Sequence, residues 1–113
     1  MNIDETIKPF RWVEYQSGAS VVLVALDILQ DVFDTRVDEG FQGSGYDWAS
    51  LAQIYLQEKS PHLEDKIKSD PEADMFCVYS KDMADLKEFV IGFKAACGNK
   101  PLIRDLFSRA ELD

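Results

Sequence analysis

The first sustained apolar pattern in the chain is Phe10 to Gln16, FRWVEYQ, rich in aromatic and β-branched residues. Ser17-Gly18 follows, and then Ser20 to Leu26, SVVLVAL. Two β-favouring runs around a short Ser/Gly turn predict a hairpin. The second run is apolar on both faces, as a central strand would be. From Asp27 the period changes. Asp27, Asp31, Asp34 and Asp38 recur at the spacing of one helical face, while Leu26, Leu29, Val32, Phe33 and Val37 fall opposite. Arg36 interrupts that apolar side. The spacing predicts a short amphipathic helix, although Ile28, Val32 and Phe33 would also suit a strand.

The stretch GFQGSGYDW, Gly40 to Trp48, then breaks the pattern. Beyond it Trp48, Leu51, Ala52, Tyr55 and Leu56 follow the stripe of an amphipathic helix ending near Ser60-Pro61. Asp47 is expected to cap this helix by accepting the Ser50 backbone N–H. Tyr46 and Leu51 would form a hydrophobic staple, with Trp48 buried. Asp65 to Ser69 and Met75 to Ser80 flank the polar turn DPEAD and predict a second hairpin, MFCVYS being its stronger strand. A long helix is predicted from about Asp82 to Cys97, on the stripe Met83, Leu86, Val90, Phe93 and Cys97 widened by Phe89. Gly98 stands at the C′ position. Pro101 suits the first turn of a last helix carrying Leu102, Ile103, Leu106, Phe107 and Ala110. Helices laid on one face of an antiparallel sheet would bury all these stripes. The expected class is therefore α+β, with the sheet built from two hairpins. One domain is expected over residues 1–113, with residues 1–9 as a loose N-terminal arm. The two halves share a ββα rhythm without a residue-level repeat.

Charge narrows the partners. Net charge is -9, from 21 acidic and 12 basic residues. That balance argues against nucleic acid, whose binding rests on cations neutralising phosphates, and against anionic membrane surfaces. It favours a cationic protein partner, although acidity also serves solubility alone. The N-terminal MNIDETIKPF has no basic region followed by an apolar stretch, so no signal peptide is expected. The longest apolar run, Val21 to Leu26, is far too short to span a membrane. A cytoplasmic location is the resulting expectation. Cys77 and Cys97 have no metal-ligand spacing around them, so no zinc site is expected. They read as small buried residues, and a disulfide between them is left open.

Candidate chemistry is sparse. Gly40-x-x-Gly43-x-Gly45 has neither the dinucleotide order nor the Lys-Ser/Thr of a phosphate loop, and Asp47 places negative charge where a phosphate would need a donor. The loop reads as a flexible turn, or as a recognition tip that presents Tyr46. Neither the Asp34 region nor Asp70, Glu72 and Asp74 has the spacing of a calcium loop. No nucleophile, base and orienting partner share a motif, and His62 follows Pro61 at a helix end. No catalytic residue, cofactor or metal is therefore expected. The acidic stripe Asp27, Asp31, Asp34 and Asp38, with Glu39 and Tyr46, is the candidate partner-binding set, its plain alternative being a solvated helix face.

The segments DEGFQGSGYDWASLAQIYL, DPEADMFCVYS and LIRDLFSRAEL resemble bacterial polymorphic-toxin immunity proteins of the immunity protein 51 family. The resemblance runs from about Phe10 to the C-terminus. Its most specific part is Gly43, Gly45, Tyr46, Asp47 and Trp48, and the Asp70-Pro71-Glu72-Ala73 turn with Met75-Phe76 is the second. Ser44 stands where Asn is expected. The resemblance implies a small cytosolic protein that binds a cognate toxin and blocks it without catalysis. An acidic surface suits such a partner if the toxin is a basic nuclease. The alternatives from a different class are an acidic adaptor for a cytosolic protein and, more remotely, a small hydrolase.

Overall fold

Alternation along the strands sorts the sheet into a buried and an open face. The computed structural model describes residues 3–112. β1 (Arg11–Tyr15) pairs antiparallel with β2 (Gly18–Leu23), and β2 with β4 (Phe76–Ser80). β4 pairs with the two-residue β3 (Lys68–Ser69), giving the order β1-β2-β4-β3. The register sets Trp12, Val21 and Val78 in one row and Leu23 beside Phe76, all buried. Val13, Tyr15 and Tyr79 point to the other face and are exposed. The predicted hairpins are both present, and the apolar second run is a central strand. The turn of the first is Gln16-Ser17, because Gly18 already pairs with Tyr15.

The helices cover the apolar side of the sheet. They are α1 (Ile3–Ile7), α2 (Gln30–Phe33), α3 (Gly45–Lys59), α4 (Met83–Cys97) and α5 (Lys100–Phe107). Trp48, Leu51, Leu86, Phe89, Val90, Phe93, Ile103 and Phe107 are fully buried. Trp48 is the hub, with rings of Phe10, Phe33, Phe76 and Phe93 at centroid distances of 5.6–6.3 Å. Such edge and tilted contacts add to simple area burial. The architecture is α+β, as the hydrophobic pattern implies.

Several local expectations differ from the fold. Ile3–Ile7 is a helix whose Ile7 is buried, in place of a loose arm; residues 1 and 2 lie outside the described residues. Gly98 keeps a right-handed φ of -79° as the C-cap, because Asn99 at once caps α5 through its side chain. Met83 is exposed and does not join the stripe of α4. Residues 26–39 are helical but broken. Two 3-10 turns, Leu26–Leu29 and Asp34–Glu39, flank α2, and Arg36 departs to φ -129°. Cys77 and Cys97 are both free and buried, and burial pushes the Cys97 thiol up to about 12. Among the described residues no helix is long and apolar enough to cross a membrane.

Candidate functional site

The glycine loop closes on its own helix. Ser44, not Asp47, is the N-cap of α3, and its hydroxyl accepts the Asp47 N–H at 3.2 Å. Asp47 occupies N3 and completes a capping box. One carboxylate oxygen, Oδ2, accepts the N–H groups of Gln42, Gly43 and Ser44 at 2.7, 2.8 and 3.3 Å. Successive amides converging in this way form an anion-binding nest. Here the side chain of Asp47 fills it, and Gly43 permits the bend with φ +87°. The Ser50 N–H expected as the partner of Asp47 is not used, since the helix starts three residues earlier. The staple is absent for the same reason: Tyr46 lies within the helix and is 45% exposed.

The loop also fastens two distant segments. The Gly45 N–H donates to the Ala73 carbonyl at 3.1 Å. A Cβ at Gly45 would overlap the carbonyl oxygens of Glu72 and Met75, so only glycine lets the helix start meet the DPEAD turn. The Trp48 indole N–H donates to the Leu26 carbonyl at 3.1 Å, and the Gln30 amide reaches the Gln42 carbonyl at 3.3 Å. Through these bonds the acidic segment lies against the glycine loop.

Each member of the candidate set is exposed: Asp27, Asp31, Asp34, Asp38, Glu39 and Tyr46. Their surroundings divide them. Asp31 bonds Lys100 at 2.8 Å and Arg104 at 3.4 Å, and the Lys100 hydrogen bond holds its carboxyl below the usual aspartate range. Glu39 is held low by its bond to Arg36. Asp34 accepts the Gln30 amide at 3.0 Å. Asp27, Asp34 and Asp38 carry no ion pair among the described residues, so their charge is not offset by a bonded cation. The break at Arg36 keeps the stripe from being one continuous helical face.

Arg36 is the residue that sequence reasoning undervalued. Its guanidinium donates to the carbonyls of Phe107 and Ala110 at 2.6 Å each, and in a fork to Glu39. It lies 4.6 Å from the Phe41 ring centroid and 5.2 Å from that of Phe107. Cation–π contact and bidentate bonding suit the planar guanidinium. The available signal was a lone arginine on an apolar face between Phe33 and Phe41. Among the described residues no group of three acidic, Cys or His side chains is arranged to hold a metal ion.

The geometry therefore uses the most distinctive motif as scaffold and leaves the acidic segment at the surface. The sequence model of the immunity protein 51 family matches residues 10–112. Comparisons with curated proteins and with solved structures return no match. The matched span includes the Gly43–Trp48 loop, the DPEAD turn it contacts and the Phe107 and Ala110 carbonyls that Arg36 binds, so the whole framework just described lies inside it. This chain belongs to the immunity protein 51 family.

Proposed function

We propose that the protein neutralises a cognate toxin by direct stoichiometric binding and performs no catalysis of its own. Family membership carries this reading. The partner surface is assigned to the acidic segment, where Asp27, Asp34 and Asp38 are exposed without bonded cations, together with Glu39 and the exposed Tyr46. The net charge of -9 supports a basic partner, a class that includes nucleases, because complementary fields accelerate encounter. Asp31 contributes less, since Lys100 and Arg104 offset it.

The test is stopped-flow binding to the product of the toxin-like reading frame beside the gene, at low and high salt. Converting Asp27, Asp34 and Asp38 to Asn should lower k_on and flatten its salt dependence, because screening acts over about 8–10 Å. Thermal stability should change little. An unchanged k_on would reduce the segment to a solvated face. Failure of the wild-type protein to bind that product, or to relieve its toxicity, would overturn the toxin-binding reading and favour an adaptor role.

A further inference from the structure

An open groove of about 370 Å³ runs between α3, the edge strand β3 and the C-terminal residues 109–111. Its walls differ in chemistry from the rest of this acidic molecule. Ser50, Gln53 and Gln57 line it from α3, and Ser69 lines it from the sheet. Arg109 and Glu111 are its charged residues. The Arg109 guanidinium is already committed to Glu58 and Asp105, at 2.7 and 2.9 Å. What remains, beside the Glu111 carboxylate, is neutral hydrogen-bonding capacity. Glu64 holds the Gln53 amide nitrogen, leaving its oxygen as an acceptor, and the Gln57 side chain has no hydrogen-bond partner among the described residues.

A second observation comes from strand register. Asp70 donates to the Cys77 carbonyl at 2.9 Å, and Ser69 lies opposite Val78. In an antiparallel ladder, alternate residues turn both backbone groups toward the neighbouring strand. Asp70 faces β4, so Ser69 directs its N–H and C=O away from it, toward the free edge beside the groove. Such an edge is a template for an added strand.

We infer that the groove receives an extended main-chain segment of the toxin, paired with the outward N–H and C=O of Ser69. The Gln53 and Gln57 side chains bond its remaining peptide groups. This rests on the toxin-binding reading and adds a second contact to it. The acidic segment sets the rate of encounter, while the groove sets the lifetime of the complex. Tyr46 shares the helical face of Ser50, Gln53 and Gln57, so it extends the same wall.

Ser69→Pro removes the outward N–H without touching the ladder to β4, a place where an edge strand tolerates proline. In calorimetric titration with the product of the neighbouring toxin-like reading frame, it should weaken binding about tenfold, and stopped-flow displacement should place the loss mainly in koff. Ser69→Ala, which keeps the N–H, should bind like the wild type. Gln57→Trp, at an exposed helix position, should fill the groove and weaken binding comparably, and serves if the proline variant does not fold. On binding, the Ser69 amide should gain protection from hydrogen exchange. Wild-type binding that either folded variant leaves unchanged overturns the groove and spares the toxin reading. Absence of wild-type binding overturns both. Self-association of the free chain that Ser69→Pro abolishes would assign the groove to a second copy and overturn the inference.

Discussion

Asp47 is a buried carboxylate that serves three consecutive residues at once. Its Oδ2 gathers three amides at a helix start, where orphan N–H groups and the positive end of the helix both favour negative charge. Removing it leaves those amides without an acceptor in a partly water-excluded loop. Asp47→Ala should cost on the order of 3 kcal/mol, seen as a fall of roughly 10 °C or more in Tm. Asp47→Asn retains one acceptor oxygen and should fall between the two. Thermal denaturation of the three proteins checks the order. An alanine variant as stable as the wild type would mean that water satisfies the loop. The neighbouring Tyr46 has the opposite character. Two residues into the helix, it presents its ring to solvent, which agrees with a role in contact.

At the scale of elements, the segment from Leu26 to Glu39 poses the main question. It has helical periodicity, yet it consists of two 3-10 turns around one turn of α-helix. Short helical pieces are marginal alone and depend on tertiary packing. Leu29, Val32 and Phe33 supply part of that packing by burial. Arg36 supplies the rest. With its side chain 17% exposed, it binds two carbonyls at the end of α5 and stacks on two rings. Lysine keeps the charge but lacks the fork. Arg36→Lys should therefore cost about 2 kcal/mol. It should also speed hydrogen exchange at residues 108–112 and, on the proposed reading, slow toxin association by loosening the acidic segment. Equal exchange in the two proteins would show that burial alone holds these pieces together.

Across the whole molecule, charge is distributed unevenly between satisfied and free carboxylates. Arginine and lysine partners hold Asp31, Glu39, Glu58 and Asp105 below their ordinary values of 3.8 and 4.5. A carboxylate depressed in the folded state stabilises fully above its unfolded value. That contribution is lost as pH falls through the folded value. Stability from these pairs should thus hold from neutral pH down to about 4.5 and decline below it. All four groups are exposed, so each effect is small and weakened by salt. Replacing Glu58 by Gln and Asp105 by Asn together should flatten the acid limb of a Tm-against-pH curve. An unaltered limb would assign acid loss to other carboxylates. On the same surface Asp27, Asp34 and Asp38 carry no ion pair among the described residues, so the acidic residues divide into paired and unpaired groups.

The sequence by itself determined what local spacing encodes. The stripe from Trp48 to Leu56 and that from Leu86 to Cys97 mark α3 and α4, because buried positions must recur every three or four residues. The two-faced run Ser20 to Leu26 marks a central strand, which in the fold ends at Leu23, and the order of hairpins and helices marks the α+β class. Net charge and the absence of a catalytic constellation directed attention to a protein partner, and the Gly43–Trp48 motif pointed to the family. Tertiary structure decided the roles within that plan. It moved the cap from Asp47 to Ser44, broke the acidic helix and exposed Tyr46. It also turned Arg36 from an interruption into a clamp and set Ser69 on a free edge beside a polar groove. These outcomes depend on partners far along the chain. Arg36 meets Phe107 and Ala110, 71 and 74 residues away, and Gly45 meets the turn at Glu72 to Met75. A hydrophobic period records which side of an element faces the core, but it carries no record of which distant carbonyl or ring will be waiting there.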